Sequence, residues 1–250
     1  MVYNHQLSYT ISGSGEPLLF IHGFGIGRDI WHALLPRLIR HYQCITVDLP
    51  GIGMSAEVKV NEDYFSDAAG AIRSLREKLH ISRWGVVAYS IGADVAATYT
   101  RLDATHITKI MLLLPMYVQA PQQKILSALL QLDTVSPAFG EWLLSGQQLA
   151  KLIELLGFNG RAGAESRRWH TSMSRQPLST LRAMLRALVV CKFPTFPTTL
   201  PRLTIWGQYD VVATRPKDVA GGQHVTLPCT HAGVITHAKE IAAAIDSFAK

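Results

Sequence analysis

A chain of 250 residues with 48% apolar and 17% charged side chains can bury a full core and is a poor candidate for disorder. The net charge of +6 comes without a basic motif interleaved with stacking aromatics, which argues against a nucleic-acid partner. No run of about 18 uncharged apolar residues is present, so no membrane span is expected, and the polar start Met1-Val-Tyr-Asn-His5 leads us to expect a cytoplasmic protein.

Short apolar, β-branched runs alternate with helical stretches, the pattern of a mostly parallel sheet flanked by helices. The first strand is expected at His5 to Ile11, ending in the turn Gly13-Ser-Gly15. Pro17 to Ile21 is apolar throughout, which suits a central strand buried on both faces. A helix is expected around Trp31 to Arg40, a strand at Cys44 to Val47, and a helix from Asp63 to Leu79. The strand Trp84 to Tyr89 runs straight into a helix starting near Ile91, and Ile107 to Leu114 is the next strand.

The alternation then stops. Residues 116–190 read as several helices, separated near Ser136-Pro137, Gly157 to Gly163 and Gln176-Pro177. A linker with Pro194, Pro197 and Pro201 leads to the strands Leu203 to Trp206 and His224 to Leu227, and a final helix is expected from Thr236 to Phe248. The expected organisation is a core of residues 1–115 and 191–250, with a helical insertion at 116–190 placed after the sixth strand. Cys44, Cys191 and Cys229 show no CxxC spacing, which fits a reducing compartment, and no metal site is expected.

Three features carry chemistry. Ala88-Tyr-Ser-Ile-Gly92 sits where a strand becomes a helix, a place that lifts the Ser90 hydroxyl above the sheet edge. The plain alternative is a serine capping the helix N-terminus. His22-Gly-Phe-Gly25 follows another strand and can aim backbone N–H groups at an oxyanion. The donors would be the N–H of Phe24 and of Ile91, with His22 organising the loop. Gly23 to Gly27 is neither a dinucleotide fingerprint nor a P-loop. Third, a hydroxyl nucleophile needs a base, and the base needs an acid to hold its tautomer. Asp210 and His231 each follow a strand, so one rim would gather Phe24, Ser90, Asp210 and His231. Asp48 also follows a strand and is assigned to holding its loop, while Asp94, Asp103, Asp218, His224 and His237 are set aside as acid or base.

Together, His22 to Gly25, Asp48 to Ser55, Ala88 to Gly92, Trp206 to Asp210 and His231 to His237 resemble the α/β-hydrolase superfamily over nearly the whole chain. Within it, the pattern is similar to small bacterial carboxylesterases, including those acting on pimeloyl-[acyl-carrier protein] methyl ester in biotin synthesis. The resemblance implies a serine hydrolase with Ser90, His231 and Asp210 as a triad, no cofactor, and residues 116–190 as a lid. It departs from the usual pattern at Ala88 and Ala93, both commonly glycine, and in a short N-terminal hairpin. Thioesterase, lactonase and C–C hydrolase activities, or a non-catalytic ligand-binding protein, remain open on the same fold. In the insertion, basic residues outnumber acidic ones by eight to four, and Arg161, Arg167, Arg168 and Arg175 are candidates for docking an acidic acyl carrier protein. A solvated helix face is the alternative for these arginines. Leu126, Leu130, Trp142, Leu143, Leu152 and Leu156 are expected mainly to pack the insertion.

Overall fold

The computed structural model describes residues 6–249, apart from 62, 117–119, 145, 162, 191–194, 214 and 217–220. The side chains of 120–122, 125, 126, 129, 144, 146, 147, 149 and 150 also lie outside the description, so Leu126, Cys191 and Asp218 receive no structural account. The strands are β1 (Tyr9–Ser12), β2 (Glu16–Ile21), β3 (Tyr42–Val47), β4 (Trp84–Tyr89), β5 (Ile107–Leu113), β6 (Arg202–Gly207) and β7 (Gln223–Leu227). They form one sheet in the order β1-β3-β2-β4-β5-β6-β7. All neighbours pair in parallel except β1 with β3.

The central strands are apolar on both faces, and the two-residue period of a strand divides their side chains between two cores. Leu19, Ile21, Val86, Ala88, Ile110 and Leu112 face one core, with α2 (Tyr64–Lys78) and α3 (Gly92–Asp103). Leu18, Phe20, Val87, Tyr89, Met111 and Leu113 face the other, with Trp31 and the last helix. Each fully buried Leu or Ile contributes about 2 kcal/mol of transfer free energy. Helix α2 starts where Asp63 caps it by accepting the Ser66 N–H, and apolar side chains at Phe65, Ala68, Ala69, Ile72 and Leu75 repeat with helical spacing toward the sheet.

Two expected helices are interrupted. Instead of one helix over Trp31 to Arg40, a 3-10 segment (Arg28–Ala33) precedes the short α1 (Leu35–Leu38). Pro36 explains the break, since proline is tolerated in a first turn but clashes with the preceding turn of a continuous helix. Near the C-terminus, His237 leaves helical geometry (φ −124°, ψ 33°) and separates α9 (Gly233–Thr236) from α10 (Ala238–Ala249).

Between β5 and β6 lie α4 (Ala120–Val135), α5 (Pro137–Leu144), α6 (Gly146–Phe158), α7 (Ala164–Ser174) and α8 (Leu178–Val190). The insertion thus follows the fifth strand of the described residues, not a sixth. Among the described residues the N-terminal segment supplies one strand, β1, and Gly13 (φ 79°) and Gly15 (φ 116°) turn the chain from it into β2; the expected start of that strand at His5 lies outside the described residues. No helix among the described residues is long and apolar enough to cross a membrane.

Candidate active site

Ser90 sits between β4 and α3 with φ of 55°, a left-handed backbone that costs a non-glycine residue free energy and persists only where its surroundings enforce it. They do so here through hydrogen bonds at both ends. Ser90 N–H donates to the Leu113 carbonyl at 3.1 Å, and the Ser90 carbonyl accepts from Ala93 N–H at 3.1 Å and Met116 N–H at 3.2 Å. The tight turn also demands small neighbours. A Cβ on Gly92 would lie 2.7 Å from the Ile21 carbonyl oxygen and 2.8 Å from that of His22, and a Cβ on Gly23 would lie 3.0 Å from the Ser90 Cβ. Ala88, by contrast, is accommodated within β4, fully buried in the core.

His231 Nε2 lies 2.9 Å from Ser90 Oγ, and His231 Nδ1 lies 2.8 Å from Asp210 Oδ2. All three residues are buried. Asp210 follows β6 on a turn in which its Oδ1 accepts the N–H groups of Val212 and Ala213, both at 2.8 Å. Two backbone donors fix one carboxylate oxygen and leave the other for the imidazole. An ionised carboxylate can only accept, so the arrangement assigns the proton to Nδ1 and leaves Nε2 to accept from the Ser90 hydroxyl. The sequence-predicted serine, histidine and acid therefore come together in hydrogen-bonding order.

Tyr89 is a member of the site that sequence reasoning missed. Its hydroxyl donates to the His231 carbonyl at 2.7 Å, and its ring centroid lies 5.2 Å from the imidazole. Burial pushes its phenol well above the ordinary range, with the Asp210 charge adding to the effect, so it remains a donor. Its place beside Ser90 was visible, but nothing in the sequence told which backbone group its hydroxyl would meet. The same loop is tied to the inserted helices, since the Gly157 carbonyl accepts both Thr230 Oγ1–H at 2.6 Å and Ala232 N–H at 3.2 Å.

His22 is wholly buried. Its Nε2 accepts the Leu49 N–H at 2.9 Å, and its Nδ1 lies 2.9 Å from the Gly23 carbonyl, which makes it the organiser of its loop. Burial lowers its pKa. Asp48 accepts Arg28 N–H at 2.7 Å and Met54 N–H at 3.0 Å and holds the loop after β3. Asp103 ends α3, where it accepts from Arg76, Tyr99 and His106. His106 is half-buried and held by Asp103. Cys44 and Cys229 are free, buried thiols, and burial pushes them up to about 12 and about 11.

A cavity of about 250 Å³ lies between the core and the inserted helices. Phe24, Ser90 and His231 line it from the core, and Leu130, Leu143, Leu152 and Leu156 line it from the insertion. These leucines, expected mainly to pack the insertion, also supply much of the cavity's apolar wall. Trp142 is half exposed. Ile91 is fully buried at the start of α3 and is not among the lining residues. Arg161, Arg167, Arg168 and Arg175 are exposed around α7 and none lines the cavity. Arg168 lies 3.7 Å from Glu165 on the same helix. The cavity's charged pair is Asp133 with Arg182, which no sequence motif marks.

The chain matches the family described as alpha/beta hydrolase fold over residues 16–210. It is 33% identical over 88 residues to a pimeloyl-[acyl-carrier protein] methyl ester esterase from Aeromonas hydrophila, covering 34% of this chain and 32% of that protein. The chain thus spans about a third of that relative's length. Among solved structures, a hydrolase from Pseudomonas aeruginosa superposes with a TM-score of 0.80 at 20% identity, over 97% of this chain and 93% of that one. The enol-lactonase from Burkholderia xenovorans superposes with a TM-score of 0.77 at 16% identity, over 99% and 98% of the two chains. With its sheet order, strand-end serine and family match over most of its length, the chain belongs to the alpha/beta hydrolase fold family.

Proposed function

We propose that the chain is a cytoplasmic serine carboxylesterase that works through an acyl-enzyme on Ser90. The observation that carries this is the relay of 2.9 Å and 2.8 Å from Ser90 through His231 to Asp210, opening onto an apolar cavity. Ser90 Oγ attacks the ester carbonyl carbon while its proton passes to His231 Nε2. Asp210 holds the Nδ1 proton and stabilises the imidazolium. The carbonyl oxygen takes up the negative charge, and the N–H groups of Phe24 and Ile91 receive it, each worth about 3 kcal/mol of barrier. As the tetrahedral adduct collapses, the C–O bond to the alcohol breaks and the alcohol takes the proton from Nε2. Water, deprotonated by His231 Nε2, then attacks the acyl carbon, the bond from that carbon to Ser90 Oγ breaks as Oγ takes the proton back from Nε2, and the acid leaves.

A carrier-protein-bound methyl ester is the first substrate to try, because a relative 33% identical over about a third of this chain is a pimeloyl-[acyl-carrier protein] methyl ester esterase. The exposed Arg161, Arg167, Arg168 and Arg175 supply positive charge for an acidic acyl carrier protein near the cavity's helical wall. A fluorophosphonate probe should label the intact protein at Ser90, and Ser90→Ala should abolish both labelling and turnover of p-nitrophenyl esters. Folded protein that never labels would reject the esterase. Charge reversal of the four arginines should raise KM for a carrier-bound methyl ester and leave a small methyl ester unaffected. Unchanged turnover and KM of the carrier-bound ester after charge reversal would reject the docking surface.

A further inference from the structure

Among the described residues, the cavity wall is mostly apolar, and besides the polar edges of Tyr89 and Trp169 its polar groups fall in two places. One is the Ser90–His231 pair from the core. The other is Asp133 on α4 with Arg182 on α8. Arg182 Nε donates to the two Asp133 carboxylate oxygens at 3.0 and 2.8 Å, and Arg182 Nη2 donates to Oδ1 at 2.6 Å and to the Pro137 carbonyl at 3.3 Å. A charge beside apolar walls is costly unless paired, and such a pair adds little stability over an apolar substitute. The surrounding helices nevertheless make room for it. A Cβ on Gly140, which also lines the cavity, would collide with the Asp133 carboxylate, so the glycine of α5 is what lets that carboxylate lie there.

Among the described residues, Arg182 Nη1 donates no hydrogen bond, so the pair retains N–H groups for a further acceptor. The pair has no net charge. An incoming carboxylate would meet the Asp133 charge, whereas a neutral oxygen meets only the donors. We infer that the Asp133–Arg182 pair is a specificity element that selects acyl chains carrying a neutral hydrogen-bond acceptor, such as a second carbonyl, remote from the reacting ester. The assignment deepens the esterase proposal by naming the substrate class, and it rests on Ser90 marking the reacting end of the cavity. Asp133 and Arg182 are here binding residues, not catalytic ones.

The test measures binding separately from chemistry. In a Ser90→Ala background, calorimetry compares three methyl esters of equal chain length: a saturated one, one with a ketone near the far end, and one ending in a carboxylate. The ketone should bind roughly tenfold or more tightly than the saturated ester, and more tightly than the carboxylate, as a hydrogen bond from a charged donor implies. Adding Asp133→Leu with Arg182→Met should bring the ketone and the saturated ester to equal affinity while keeping the latter bound. Arg182→Lys, which keeps the ion pair but loses the guanidinium fork, should also reduce the preference and serves if the double substitution does not fold. Equal affinities in the Ser90→Ala protein, tightest binding of the carboxylate, or a ketone preference that survives either change would overturn the assignment. Fluorophosphonate labelling of the native protein, scored separately, decides the nucleophile, so failure of the esterase proposal is distinguishable from failure of this one.

Discussion

Gly92→Ala puts a methyl group where two backbone oxygens already stand. The added Cβ would lie 2.7 Å from the Ile21 carbonyl oxygen and 2.8 Å from the His22 carbonyl oxygen. A carbon–oxygen contact relaxes to about 3.3 Å, so the start of α3 must retreat by about 0.5 Å. Neither oxygen can yield cheaply, because both belong to the backbone at the end of β2. The retreat is transmitted to Ser90, two residues away, whose hydroxyl has one productive position against His231. Overpacking of this kind costs about 1–3 kcal/mol of stability. A misplacement of 1 Å can cost about a hundredfold in rate, so half of that should lower kcat/KM roughly tenfold. The assay is p-nitrophenyl ester hydrolysis beside urea unfolding, with Gly70→Ala as the control. Gly70 lies within α2 and an added Cβ would meet nothing within 4 Å, so alanine there should leave activity unchanged and stabilise by about 0.5–1 kcal/mol. If Gly92→Ala keeps the native kcat/KM and unfolding midpoint, the steric account of the turn is wrong.

The remaining predictions concern the strand before Ser90 and the buried loop histidine. Ala88→Gly, which restores the more usual residue, should lower stability by about 0.5–1 kcal/mol and leave kcat/KM unchanged, because the fully buried Ala88 already permits the 2.9 Å serine–histidine contact; a marked gain in kcat would count against this. Tyr89→Phe leaves the His231 carbonyl without its 2.7 Å donor, so stability should fall by about 1–3 kcal/mol and kcat should fall more than KM changes, as expected of a positioning residue; unaltered urea midpoints and kinetics would refute it. His22 must be neutral for Nε2 to accept from Leu49, and burial holds its pKa below the ordinary 6.5. The unfolded chain therefore binds the extra proton first as pH falls. Its contribution to stability is complete above about pH 6.5 and is lost below that, at no more than about 1.4 kcal/mol per pH unit, until the folded-state pKa is passed. His22→Gln, whose amide oxygen can still accept from Leu49, should show a shallower loss between pH 6.5 and 5 by urea titration, and an identical slope would dismiss the idea.

Local chemistry made much of the fold legible. The unbroken apolar run of β2 announces a strand covered on both faces, and Asp63 and the spacing of Ile72 and Leu75 announce α2. Ser90, Asp210 and His231 were legible because each stands a few residues past the end of a strand, and parallel strands deliver such residues to one edge. The strand runs before the insertion were legible one by one and number five, as in the structure, so placing the insertion after a sixth strand did not follow from them. The break at Pro36 was visible only as a proline, since a first-turn proline and a helix-ending one look alike in sequence.

What the amino-acid order determined alone was therefore whatever depends on neighbours within a few positions: strand and helix runs, the serine turn, and the residue types able to move a proton. What only the tertiary structure decided was which distant groups meet. Tyr89 finds the His231 carbonyl across 142 positions, Thr230 finds the Gly157 carbonyl across 73, and Asp133 finds Arg182 across 49. Hydrogen bonds and ion pairs act over a few ångströms whatever the sequence separation, so their partners are fixed by how the helices pack above the sheet. No spacing rule along the chain encodes them.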